Sequence, residues 1–244
     1  MTMIEITPEP GGSQRLDGYL ATPRGSSHDT GPWPGMVLIH EAFGVDDNMR
    51  AHADRLAAMG YLTLAPDLYS QGGARKCLVS TMRAMQSGRG RAFADLEAAR
   101  KWLVASDKCT GRVGAIGFCM GGGFALLTVH LHDAVSVNYG MLPKNVDEIM
   151  AGACPVVASY GARDGFLRSA PAKLETALTK AGVVHDVKQY QKAGHAFLNE
   201  TEGGPGWLRP LLRASHSGPE PEAAADSWRR IETFFAEHLG AGKN

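Results

Sequence analysis

The chain has 244 residues, 44% of them hydrophobic and 20% charged, the proportions of an ordinary globular protein. Its 25 basic residues balance 25 acidic ones, for a formal net charge of zero, so no global field points to nucleic acid or an anionic membrane as partner. No apolar run approaches the ~20 residues of a membrane span, and the opening Met1-Thr-Met-Ile-Glu-Ile has neither the basic start nor the apolar stretch of a secretory signal.

Short apolar runs alternate with helical patterns along the chain, which predicts an α/β fold with a mostly parallel sheet covered by helices on both faces. Arg15 to Ala21 reads as an early strand, and Gly35 to His40, bounded by Pro34, as a buried one. Asn48 is the expected cap of a helix in which Met49, Ala53, Leu56 and Met59 recur until Gly60 ends it. Tyr61 to Ala65 is the next strand, closed by Pro66, and a polar, Gly- and Arg-containing stretch follows. Phe93, Leu96, Ala99, Trp102 and Leu103 mark an amphipathic helix.

Arg112 to Ile116 is expected as a strand and Gly121 to His132 as a strongly apolar helix. Ala134 to Tyr139 and Pro155 to Tyr160 follow as strands. Pro171 and Gly182 bracket a helix, Val183 to Tyr190 is the last strand, and the final helix runs from about Glu222 to Leu239. With no repeat and no composition break, residues 1–244 read as one domain. Its irregular part, about 200–221, carries Trp207, Leu208, Leu211 and Leu212. A connection of that length in a compact domain is functional or disordered.

The four cysteines, Cys77, Cys109, Cys119 and Cys154, show no Cys-x-x-Cys pair and no metal-ligand spacing. They read as reduced thiols of a cytoplasmic protein. Cys119 differs from the others by its context. Gly117-Phe-Cys119-Met120-Gly121-Gly-Gly lies between the Arg112–Ile116 strand and an apolar helix, the setting of a sharp turn that presents a nucleophile. Such a turn strains the nucleophile's backbone and needs glycine at its flanks. It also sets the sulfur at a helix N-terminus, whose dipole favours thiolate, and aims the Met120 N–H at a carbonyl under attack. The plain alternative is a small buried residue in glycine-rich packing, and for the other three cysteines that reading prevails.

A nucleophile of this kind needs a base and an orienting acid, in the chain order nucleophile, acid, histidine. Asp164, in Gly161-Ala-Arg-Asp-Gly, follows the Pro155–Tyr160 strand, and His195, in Gly194-His-Ala-Phe197, follows the last strand. Each alone is as readily a turn former or an exposed loop residue. His185, His216, His238, Asp133, Asp147 and Asp186 fall at the wrong places. After the Gly35–His40 strand comes Glu41-Ala42-Phe43-Gly44. The Ala42 N–H is the expected second oxyanion donor, and a Glu41 carboxylate at the mouth would oppose a resting thiolate unless protonated or turned away.

Together Gly117-Phe-Cys-Met-Gly-Gly, Ala162-Arg-Asp-Gly, Gly194-His-Ala-Phe and His40-Glu-x-Phe-Gly resemble the dienelactone hydrolase (carboxymethylenebutenolidase-like) family, from about residue 15 to the closing helix. The resemblance implies a single-domain α/β-hydrolase fold, a Cys119–His195–Asp164 triad and no cofactor or metal. It further implies a gating role for Glu41, which holds the cysteine inactive until substrate binds and then helps to deprotonate it. Phe43, Phe197 and Asn199 are expected substrate contacts. Asn199 stands where enzymes acting on dienelactone itself carry an arginine for the substrate carboxylate, and it cannot offer that charged fork. The expected partner is a small-molecule ester or lactone, the expected assembly a monomer or homodimer. The rival reading from another class is a non-enzymatic thiol sensor or ligand-binding protein on a hydrolase scaffold. A serine-like esterase of broad range is a milder variant. The 200–221 segment is read as a lid or rim over the site, against a disordered excursion or an oligomer contact.

Overall fold

The computed structural model describes residues 2–24 and 31–240. Thr2–Ile6 (β1) and Leu16–Ala21 (β2) pair antiparallel. Trp33–Ile39 (β3) is buried along its whole length, as a run apolar on both faces requires. It leads through helix α1, Asp47–Ala58, into Leu62–Pro66 (β4), which lies parallel to it. Helices α2, Ala74–Ser87, and α3, Arg91–Ala105, precede the long strand β5, Cys109–Phe118.

Helix α4, Met120–Leu127, and a 3-10 turn, Val129–Leu131, carry the chain to β6, Val135–Asn138. A short α5, Val146–Met150, precedes β7, Val156–Gly161, and α6, Ala170–Ala181, precedes β8, His185–Tyr190. Two helices close the chain, α7, Arg209–Ala214, and α8, Pro221–Leu239. The strands form one sheet in the order β1-β2-β4-β3-β5-β6-β7-β8. From β4 to β8 every neighbouring pair is parallel.

This order positions the site. The chain leaves β3 towards β4 on one side and returns to β5 on the other. The carboxyl ends of β3 and β5 therefore sit side by side at a topological switch point, where open α/β sheets hold their ligands. Those ends carry Glu41 and Cys119. Helix α8 buries Trp228, Ile231, Phe235 and Leu239, the stripe its spacing predicts.

The differences from expectation have local causes. The cap of α1 is Asp46, whose side chain accepts from the Met49 N–H at 3.1 Å. Asn48, taken as the cap, is buried in the first turn and bonded instead to Thr201. The polar stretch after β4 contains α2, which buries Cys77, Thr81, Ala84 and Met85 with Leu78 and Met82 packed partly against the core, a stripe set among glycines and arginines in the sequence. Strand β1 was missed because it is a mostly exposed edge, and the apolar helix after the elbow stops at Leu127 rather than His132.

Candidate active site

Cys119 adopts φ 54°, ψ −114° as the residue preceding α4, a conformation that costs a non-glycine residue on the order of 1–3 kcal/mol. The glycines around it are demanded by contact. A Cβ on Gly117 would lie 2.0 Å from the Gly121 carbonyl oxygen, and one on Gly121 would lie 2.0 Å from that of Ile39. Strand, turn and helix thus touch backbone to backbone, which fixes the sulfur at the head of α4.

His195 follows β8 on a loop whose next residue, Ala196, also has positive φ (55°). Its Nδ1 lies 2.5 Å from Asp164 Oδ2. Asp164, buried after β7, accepts the Phe166 N–H on its other oxygen at 3.1 Å. A carboxylate fixed in this way accepts the Nδ1 proton and leaves Nε2 to face the cleft. Burial alone would lower the His195 pKa, but the hydrogen bond to Asp164, the nearby Cys119 thiolate and the charges of both outweigh it and raise it to about 10. Asp164 and His195 are thus joined directly, and the charge of Cys119 acts on the His195 ring.

Glu41 is buried. Burial, offset in part by a hydrogen bond from Asn199, raises its pKa to about 7, with Asp46 pushing up and His195 pulling down. Its backbone is anchored by His40. The Leu68 N–H donates to His40 Nε2 at 3.1 Å, so Nδ1 carries the proton and donates to the Glu41 carbonyl at 2.7 Å. The side chain is held by a chain of neutral groups. Asn199 Nδ2 donates to Glu41 Oε1 at 2.6 Å, and Asn199 Oδ1 lies 3.1 Å from His52 Nε2. Burial lowers the His52 pKa to about 4, so the ring is neutral and donates that bond. Its stacking on Phe118, centroids 4.5 Å apart, fixes the ring and hence the sense of the amide.

Two expected substrate contacts lie elsewhere. Asn199 is buried with both ends of its amide occupied, so it braces Glu41 rather than meeting a ligand. Phe197 is fully buried against Tyr139 and Tyr190, a core position. Phe43 is half-buried and abuts Gly203 and Gly204, at the start of the irregular segment. That segment is tied at both ends to the site. Thr201 bonds to Asn48, and the Gly218 and Glu220 N–H groups donate to the carbonyls of His195 and Phe197. Its outer part is α7 and the turn before it, with Leu211 on the helix and Trp207 in the turn facing solvent.

The N–H groups of Ala42 and Met120 donate to no protein acceptor among the described residues. Tyr69 fixes the two loops relative to one another, its hydroxyl donating to the Ala42 carbonyl at 3.2 Å and lying 3.7 Å from Met120 Sδ. A cavity of about 990 Å³ opens beside α4 at Gly123, with Met85, Leu127, Met141 and Leu142 in its walls and Arg83 and Lys144 at its edge. Among the described residues no cluster of three His, Cys, Asp or Glu side chains is placed to hold a metal ion, and no helix is long and apolar enough to cross a membrane. His52, bonded to Asn199, and Tyr139, with its ring 5.1 Å from that of His195, lie at the site without a local motif to single them out. The one signal for Tyr139 was its place before a glycine at a strand end.

The sheet and the turn at Cys119 are those of the α/β-hydrolase fold. The profile of the Dienelactone hydrolase family matches residues 16–239, and the chain belongs to that family. It is accordingly a hydrolase of ester or lactone bonds. A carboxymethylenebutenolidase of Rhodococcus opacus is 30% identical over 234 residues, covering 89% of this chain and 86% of its own. Among solved structures, a dienelactone hydrolase-like promiscuous phosphotriesterase from metagenomic libraries superposes with a TM-score of 0.75 at 27% identity, over 97% of this chain and 98% of its own. The structure named m3DLH gives 0.77 at 25% identity, over 97% and 98%.

Proposed function

We propose that the chain hydrolyses esters or lactones through a covalent thioester on Cys119, with His195 and Asp164 completing a triad and Glu41 acting as a second base. The observation that carries this reading is the convergence of a strained cysteine at a helix head with a histidine 2.5 Å from a buried aspartate.

The charge states order the steps. Against a Cys119 thiolate His195 has its pKa raised to about 10, so once the thiol has lost its proton the ring is an imidazolium through neutral pH. Glu41, at about 7, is the carboxylate proposed to take that proton. As Glu41 takes that proton, Cys119 Sγ bonds to the carbonyl carbon, and the oxyanion rests on the Ala42 and Met120 N–H groups. The carbon–oxygen bond then breaks. Alkoxide is a poor leaving group, so the His195 proton passes to it. His195, now neutral, takes a proton from water as the water oxygen attacks the thioester, and the carbon–sulfur bond breaks. Glu41 returns its proton to sulfur. Asp164 holds the Nδ1 proton throughout and stabilises the imidazolium.

Because Asn199 is committed to Glu41, a free carboxylate on the substrate has no arginine waiting at that position. A range broader than dienelactone follows, and we read the free state of all four cysteines as suiting a reducing cytoplasm. Cys119→Ala is expected to abolish turnover of p-nitrophenyl acetate, and iodoacetamide to inactivate the native protein in proportion to alkylation of that residue. Full turnover by Cys119→Ala would exclude the thioester and leave a ligand-binding or sensing role for the thiol.

A further inference from the structure

Four described residues other than glycine have positive φ: Cys119, Tyr139, Ala196 and His216. Three of them surround the site, Cys119 itself, the neighbour of His195, and Tyr139, which directly follows β6 at φ 42°. Backbone strain gathered in this way marks positions that the surroundings hold for function or for packing. Packing accounts for part of it at Tyr139. The next residue, Gly140, lies so close to α4 that a Cβ there would stand 2.5 Å from the Gly122 carbonyl carbon. Packing does not account for the side chain.

The Tyr139 hydroxyl is fully buried and has no hydrogen-bond partner. Buried phenols ordinarily find one, and a phenylalanine would fill the same space without leaving a donor unmatched. The ring is wedged at the site, 5.1 Å from the His195 ring between centroids, 5.6 Å from Phe197 and 6.2 Å from Phe118. Burial raises its pKa well above that of free tyrosine, and the charges of Glu41, Cys119 and Asp46, in that order, raise it further. The hydroxyl is thus a proton-bearing donor within the field of Glu41 and Cys119.

We propose that Tyr139 is a positioning residue, whose hydroxyl donates a hydrogen bond to the Glu41 carboxylate when that group is charged and so holds it beside Cys119 for the proton transfer. Glu41 Oε1 is taken by Asn199, and the second oxygen is the one left for Tyr139. The other titratable groups around the pair are Asp46 beyond β3, His40 at its end, His52 on α1, Cys119 at the elbow and His195 after β8. None of them supplies a neutral donor to that oxygen. Removing the hydroxyl withdraws a donor from the charged form alone, which moves Glu41 titration to higher pH. The inference rests on the base role proposed for Glu41, and the test separates the two.

The test is Tyr139→Phe, which keeps the ring packing. Expected are a Tm at or above that of the native protein, since no existing bond is lost, together with a fall of tenfold or more in kcat/KM. The ascending limb of its pH profile moves to higher pH. In a Glu41→Gln background the same substitution changes kcat/KM less than twofold, because the acceptor is gone. An unchanged rate and pH profile in Tyr139→Phe overturns the proposal and leaves the tyrosine a packing residue. An equal loss with and without Glu41 also overturns it, by placing the hydroxyl on another acceptor. If Glu41→Gln alone retains full activity and the same ascending limb, the base role of Glu41 fails first, whatever Tyr139→Phe shows.

Discussion

Two glycine-bearing segments flank His195, and they are built on opposite terms. At the elbow, residues 117–123, added Cβ atoms at Gly117 and Gly121 would lie 2.0 Å from backbone oxygens, so no other residue fits. In the segment from Thr201 to Glu220, Gly206 has nothing within 4 Å, Trp207 is 81% exposed and Leu211 67%. One segment is held by contact on every side, the other only by its two ends. The comparison teaches that proximity to the site does not impose constraint. Contact does, and each substitution below tests how far that holds.

The largest effect is expected at the elbow. Gly121→Ala should unfold the protein or cost more than about 4 kcal/mol, because backbone cannot yield. Gly123→Ala, whose Cβ would meet Met85 Sδ at 2.5 Å, displaces only the end of a flexible side chain and should remain folded. Gly206→Ala should be nearly silent. Thermal melts of the three variants give the ranking, and a folded, active Gly121→Ala would break the comparison at its stronger end.

The next largest effect lies in Asp164→Asn. The amide cannot accept the Nδ1 proton with the strength of the carboxylate, and the ring is free to take the wrong tautomer. A loss of about 10²–10⁴ in kcat is expected with little change in Tm. Steady-state rates on an activated ester measure it, and a loss below tenfold would separate Asp164 from the chemistry.

The same contrast explains what could be read from the sequence. The elbow was legible because sterics leave glycine no substitute, Asp164 because it follows the buried apolar run of β7, and His195 because it comes after the last strand in the chain order that the elbow demands. The sheet was legible by such apolar runs from Gly35 onward. Helix α2 was not, since Gly72, Gly73, Gly88 and Gly90 and the arginines between them set its apolar stripe in what reads as a loop. Nor was the function of Asn199. Its neighbours in space, Glu41 and His52, are 158 and 147 residues away in sequence, and no local pattern records that meeting. Tyr139 was read only as the end of a strand, because a hydroxyl without a partner is visible only once its surroundings are known.

The brace on Glu41 yields a pH prediction of intermediate size. Activity should rise as Glu41 ionises near pH 7 and fall as His195 deprotonates near pH 10. Asn199→Leu removes a donor to the charged form, so the ascending limb should move up. Stability runs the other way. The Glu41 pKa is higher folded than unfolded, 7 against 4.5, so the fold binds the proton more tightly and loses stability as pH rises between those values. Glu41→Gln should therefore gain up to about 3 kcal/mol relative to the native protein on going from pH 4 to pH 8. Denaturant melts at the two pH values check this, and an equal difference at both would mean that Glu41 is not desolvated.

The smallest effects are expected on α7 and the turn before it. Trp207 and Leu211 face water, so their replacement by alanine removes little buried surface and should leave Tm within about 1–2 °C. A fixed rim would border the site through Gly203 and Gly204, which lie against Phe43, rather than through these side chains. Trp207→Ala should then change KM for a short-chain ester less than twofold. A lid that folds down over bound substrate requires Trp207 to leave solvent, and KM for a bulky ester would then rise severalfold in the same variant. The ratio of the two KM changes decides between a fixed rim and a moving cover. A ratio near one favours the rim, because residues that never approach the substrate cannot distinguish its size.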